Sequence, residues 1–211
     1  MKMSVRITSL ICILGSVVSA AAESEAAPSR DGPEDRLTDP SDEGRLPIMD
    51  FSEGAEGWRS VDDVVMGGIS ASEFVVSKGI AVFRGNVSLE NNGGFASAQS
   101  KPCPYDLSDF DGLRIRVRGD GKRYAFRVRT TSCFDGISYQ ARFDTRAGEW
   151  IEILLPFDGF RPVFRGREVP RADPLDPCRI QTFGLLISDK QEGPFLLELD
   201  RIMAYKKDAR D

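Results

Sequence analysis

The 211-residue chain contains no histidine. That absence removes the Ser-His-Asp and Cys-His nucleophile systems, zinc sites built on imidazole, and the histidine general base. Any catalysis would fall to carboxylates, lysine, tyrosine or a bound cofactor, and no pattern in the chain calls for a cofactor or a metal. Cysteine is scarce as well: there are four, none in CxxC spacing, which argues against a redox pair or a thiolate metal centre. Nor is there an excess of cations. The 28 Lys and Arg stand against 33 Asp and Glu, a net charge of −5, so no global positive field draws the chain to nucleic acid. Amphipathic helical periodicity longer than about two turns is also missing, which excludes the crossover helices of a parallel α/β fold.

The chain begins with the pattern of a secretory signal. Lys2 and Arg6 precede an uncharged, mostly apolar stretch, Ile7 to Ala22, that closes on Ser19-Ala20-Ala21-Ala22. The stretch is short for a membrane span. The expectation is therefore a signal peptide over residues 1–22, export to the periplasm or the extracellular space, and no span after cleavage. Cleavage would remove Cys12, and an oxidising compartment would permit one disulfide among Cys103, Cys133 and Cys178, in any of three pairings. Residues 23–46 carry Leu37 as their only large apolar side chain before Leu46. Such a segment buries too little to offset its chain entropy and reads as a disordered acidic, proline-containing linker. The folded domain is expected over 47–206, followed by a polar tail, 207–211.

Within that domain apolar residues recur with period two. Phe74-Val75-Val76 and Ile80 to Phe83 flank the short turn Ser77-Lys78-Gly79. Leu113 to Arg118 alternates, and Gly119-Asp120-Gly121 reads as a hairpin turn into Tyr124 to Arg129. Tyr139, Ala141 and Phe143 alternate next, followed by Trp150 to Leu155, Phe183 to Ile187 and Phe195 to Ile202. Many short strands at this spacing predict an all-β antiparallel sandwich, jelly-roll or immunoglobulin-like.

Four segments concentrate Gly, Asp, Asn and aromatic residues: Trp58 to Ser70, Asn91 to Ser97, Arg118 to Tyr124, and Asp189 to Phe195. With Asp63-x-x-Met66-Gly67-Gly68-x-Ser70 and Asn92-Gly93-Gly94-Phe95 as its strongest elements, the chain resembles the complex I intermediate-associated protein family. Trp150, Pro156-Phe157 and Phe160-x-Pro162-x-Phe164-Arg165-Gly166 continue the likeness in order, over Pro47 to Tyr205. The resemblance implies a galactose-binding-domain-like jelly roll, the architecture of many carbohydrate-binding modules. It also implies a non-catalytic role in protein complex assembly.

Two surfaces are candidates for binding. One is a loop cleft formed by Asp62, Asp63, Met66, Gly67, Gly68, Ser70, Asn92, Gly93, Gly94 and Phe95, where carboxylates and amides would meet hydroxyls beside an aromatic face. The opposing reading is that both glycine pairs only shape turns and bulges. The other surface is basic. Alternation leaves Arg114, Arg116 and Arg118 opposite Leu113, Ile115 and Val117, and likewise leaves Arg127, Arg129 and Arg142 outward. Were these strands neighbours, six arginines would share one sheet face and dock an acidic partner. The opposing reading pairs them with the chain's own acids, Glu152 and Glu198 among them. Weaker patterns are an Asn86-Val87-Ser88 sequon and a calcium site at Asp200 with Asp50, although isolated acids at a sheet end are ordinarily just solvated.

Three functions follow. The first is a non-enzymatic binding or assembly module that docks a protein partner. A carbohydrate-binding module using the loop cleft is the alternative. A carboxylate-based polysaccharide-active enzyme ranks last, because Asp62 and Asp63 would point to opposite sides of an extended chain.

Overall fold

The computed structural model describes residues 45–54, 57–133 and 135–207. The expected signal peptide, all but the last two residues of the expected linker, and the tail beyond Lys207 lie outside these. The first strand already begins at Arg45, two residues before the expected domain start.

The strands are β1 (Arg45–Asp50), β2 (Arg59–Ser60), β3 (Ala71–Ser77), β4 (Ile80–Val87), β5 (Ala96–Gln99), β6 (Gly112–Arg118), β7 (Arg123–Arg129), β8 (Ser138–Asp144), β9 (Trp150–Pro156), β10 (Arg161–Phe164), β11 (Arg167–Glu168), β12 (Thr182–Ile187) and β13 (Gly193–Tyr205). They form two antiparallel sheets, as an all-β sandwich requires. The first runs β3-β4-β13-β6-β9, with β1 pairing β13 beyond the end of β4. The second runs β11-β10-β8-β7-β12-β5-β2.

Alternation places one side of every central strand between the sheets. Phe83, Ile115, Val117, Leu197, Leu199 and Ile202 come from the first sheet, and Tyr124, Phe126, Val128, Phe183, Leu185 and Ile187 from the second; all are fully buried. Each such side chain stabilises the fold by about 1.5–3 kcal/mol. Aromatic edges close the layer: Phe83 meets Phe195 at 4.8 Å and Tyr105 meets Phe183 at 4.9 Å between ring centroids.

The turn after β3 matches its sequence. Lys78 and Gly79 both have positive φ, 52° and 73°, and Ser77 pairs with Ile80, the geometry of a tight two-residue hairpin. The turn after β6 does not match. Gly119-Asp120-Gly121 is expected to fold β6 back onto β7, yet β6 lies in the first sheet and β7 in the second. It is a corner between sheets. The Asp120 carboxylate pins it, accepting from Lys122 N (3.1 Å), the Tyr124 hydroxyl (3.0 Å) and Leu196 N (3.0 Å). A hairpin there would set two arginine rows side by side on one face, where like charges repel. The corner keeps both apolar faces on the shared core and sends the arginines to opposite outer surfaces.

Candidate functional site

The family-like motif loops converge at one end of the sheets around a single carboxylate. Asp62 is extended, and a short 3-10 turn, Asp63–Met66, follows and ends on Gly67 in the left-handed region (φ 91°). Asp63 is 0 % exposed. It accepts hydrogen bonds from the Ser70 hydroxyl (2.5 Å) and from the backbone N–H of Ser70 (2.9 Å), Gly94 (2.7 Å) and Phe95 (3.3 Å). Burial alone would raise its pKa. The Ser70 hydroxyl and the Gly94, Phe95 and Ser70 amides outweigh that and hold it below the ordinary 3.8. A Cβ on Gly68 would stand 2.4 Å from the Asp63 Cγ, and one on Gly93 would stand 2.7 Å from Oδ2. The glycines are thus required because chain from two separate loops wraps one buried carboxylate. Ser88 N donates to the Ser70 hydroxyl (3.0 Å), and Asp62 accepts from Ser72 N (2.8 Å) and the Ser72 hydroxyl (2.6 Å).

The expected cleft residues are therefore brought together, but turned inward. Asp62, Asp63 and Ser70 spend their polar atoms on the fold, Phe95 is half-buried, and the side chains of Met66 and Asn92 lie outside the described residues. Beside exposed Glu90 and Asn91, three large apolar side chains of these loops face solvent: Val64 is 62 % exposed, Ile69 52 % and Leu89 37 %. Sequence reasoning passed over these three, although an Ile between Gly68 and Ser70 and a Val beside two acids are unusual in a turn.

The basic face divides in the same way. Arg114, Arg116 and Arg118 lie on the outer side of the first sheet, and Arg127, Arg129 and Arg142 on that of the second, so the expected six-arginine face does not form. On the first sheet every one of the three meets an acid. Arg114 pairs with Glu152, Arg116 with Asp200 at 3.1 Å, and Arg118 with both oxygens of Glu198; Arg201 reaches Glu152 at 3.4 Å. The guanidinium carbons of Arg116 and Arg118 also lie 4.9 and 5.0 Å from the Trp150 ring centroid. Asp200 occupies a register shift in β13 between Leu199 and Arg201 and is 3 % exposed. Its carboxylate is thus engaged by Arg116, while Asp50 accepts from Ser52 N and its hydroxyl; the two acids serve separate contacts.

The second sheet differs. Arg129 donates to the Gly136 carbonyl (2.8 Å), and exposed Arg142 stands 3.6 Å from Asp189. Half-buried Arg127 is held in the β7 ladders, but its guanidinium makes no hydrogen bond or ion pair with another described residue. Burial, with Arg129 beside it, pushes its pKa down to about 10. Cys103, Cys133 and Cys178 are exposed free thiols, not a disulfide pair and a remainder.

Comparison with known proteins bears on all of this. Residues 49–199 match the family model described as Complex I intermediate-associated protein 30. The mouse mitochondrial protein of that name is 31 % identical over 174 residues, covering 72 % of this chain and 53 % of the relative. The probable Caenorhabditis briggsae mitochondrial counterpart is 28 % identical over 178 residues, covering 74 % and 52 %. The chain thus spans about half the length of these relatives. Among solved structures, the family 11 carbohydrate-binding module of the cellulase Lic26A-Cel5E of Clostridium thermocellum superposes with a TM-score of 0.61 at 17 % identity, covering 80 % of this chain and 98 % of the module. An agarase matches with a TM-score of 0.53 at 14 % identity, over 78 % of this chain and 25 % of the agarase. Both carry the galactose-binding-like sandwich architecture and speak for the fold. The mitochondrial names of the relatives, Drosophila and Neurospora proteins included, overturn the expected periplasmic or extracellular destination. With a family model covering the sandwich and a relative above thirty per cent identity across most of it, this chain belongs to the complex I intermediate-associated protein 30 family.

Proposed function

We propose that the chain is a non-enzymatic assembly module, holding a protein partner on the apolar side chains of its Asp63 loops. The observation that carries this reading is the trio Val64, Ile69 and Leu89, exposed on loops that are hydrogen-bonded to one buried carboxylate. Exposed apolar groups on loops so tied lose water at little conformational cost when a partner covers them. The family name supplies the kind of partner, an assembly intermediate of complex I. A carboxylate enzyme finds no support in Asp62 and Asp63, whose oxygens are already taken by Ser72, Ser70, Gly94 and Phe95. For a glycan module the support is fold likeness alone, and fold does not fix function.

The test is native-gel separation of the chain with whatever it binds in its source cells. Wild type should migrate with a complex I intermediate. Val64→Asp/Ile69→Asp/Leu89→Asp should migrate alone while keeping its thermal melting temperature. Comigration that survives the triple change, or wild type running alone, sinks the proposal. Retardation on polysaccharide affinity gels would favour the glycan reading instead.

A further inference from the structure

The strand registers of the second sheet place six residues in one transverse row across its outer face. Arg161 pairs with Gln140, Gln140 with Arg127, Arg127 with Gly184, Gly184 with Gln99, and Gln99 with Arg59. At the usual ~4.8 Å between strands the row is ~24 Å long, with a cation at each end and one within. The row contains no acid. Among the described residues, Asp144, Asp189 and Asp135 pair with Arg123, Arg142 and Arg165. Beside Arg127 the row dips. Gly184 carries no side chain, and a Cβ there would stand 2.7 Å from the Ala98 carbonyl oxygen, so no larger residue fits without moving β5. Ala125, one row over, is buried and small.

We infer that this row binds an acidic, extended segment of a partner protein, lying across the strands with a carboxylate on the Arg127 guanidinium. The inference rests on the assembly reading only in choosing a protein over a sugar. Its chemistry is local. A half-buried guanidinium already stripped of part of its water, and with no acid of the described residues paired to it, is completed by a carboxylate accepting two parallel N–H bonds. Gln140 and Gln99 flank it with amides that both donate and accept, the complement of a peptide backbone. From Arg161 to Arg127 is two strand spacings and from Arg127 to Arg59 is three, ~10 and ~14 Å. In an extended peptide rising ~3.3 Å per residue side chains alternate between faces, so acids four positions apart share a face ~13 Å apart and fit the longer interval. A sugar would want an aromatic platform, and none of the six positions in the row supplies one.

The experiment measures fluorescence anisotropy of labelled hexaglutamate with the full chain at low salt, beside hexaglutamine and oligogalacturonate. Hexaglutamate should bind at least tenfold more tightly than hexaglutamine. Arg127→Gln should weaken it tenfold or more, and Arg127→Lys by an intermediate factor, because the charge remains while the fork is lost. Arg84→Gln, on the other sheet and paired with Glu73, should change it less than twofold. Equal losses from Arg84→Gln and Arg127→Gln would overturn the site as mere net charge. Hexaglutamate binding no better than hexaglutamine, or worse than oligogalacturonate, would overturn the ligand class. If Arg127→Gln melts early, Arg127→Lys and Gln140→Ala carry the decision. The Val64/Ile69/Leu89 variant should bind hexaglutamate normally, so failure here and failure of the apolar docking surface are read separately.

Discussion

The outer faces of the two sheets carry arginine rows of the same sequence pattern and opposite fates. On the first sheet Arg114, Arg116 and Arg118 each face an acid from β9 or β13, and Trp150 lies against two of them. On the second, β8 and β12 offer Arg127 only Gln140 and Gly184 as cross-strand neighbours. An arginine's role is therefore set by which strand lies beside it, and alternation along its own strand cannot say. The neutralised row holds β6, β9 and β13 together. The open row costs the fold some desolvation and keeps a guanidinium available.

A further buried charge sharpens the contrast, because no cation of the described residues pairs with it. Asp63 rests on one hydroxyl and three amides. Asp63→Ala strands those donors and empties their centre, and should destabilise by about 4 kcal/mol in urea unfolding, the largest single effect expected here. Acid should expose the same dependence. Since the folded pKa lies below 3.8, the stability it confers is complete above that value and is lost as pH falls through the folded value. Asp63→Asn should therefore flatten the acid limb of stability below about pH 4 relative to wild type. An unchanged limb would mean that the knot does not carry the charge.

The comparison of the sheets themselves is broken or kept by two substitutions. Asp200→Ala removes a 3 % exposed partner of Arg116 and should cost about 3 kcal/mol. Arg127→Met should lie within about 0.5 kcal/mol of wild type, because it deletes a half-buried charge that no described acid compensates. Equal costs by chemical denaturation would erase the distinction between a structural row and an open one.

Much of this was legible in the sequence, and what was not has a physical cause. Leu113, Ile115 and Val117 announce their strand and its inner face, since period two follows from the pleat. Nothing in β6 reports whether β7 or β13 lies beside it. The corner at Asp120 is decided partly by Leu196 N, seventy-six residues away. β5 was missed because Ala96-Ser97-Ala98-Gln99 lacks the branched and aromatic residues that mark strands. The close pairing asks for a small residue on the other strand, where a Cβ on Gly184 would stand 2.7 Å from the Ala98 carbonyl oxygen. The motif around Asp63 was visible as a pattern of residues, but its inward turn depends on Gly94, thirty-one positions on. Long-range partners, not local preference, converted an expected cleft into a knot and an expected basic face into two.

A modest coupling tests how the neutralised row does its work. Arg118 and Glu198 meet through two parallel bonds, yet their side chains are 39 % and 18 % exposed, so water screens much of the attraction. A double-mutant cycle with Arg118→Ala and Glu198→Ala should give a coupling of about 0.5–1 kcal/mol that shrinks in high salt. Burial draws the same line along the strand: at Arg116 the acid is sealed and its loss is costly, whereas at Arg118 the pair trades evenly with solvent. A coupling as large as the Asp200 effect would mean that the rim of the first sheet is drier than its exposure implies. The openness of Arg127 would then have to be judged against Arg116 alone.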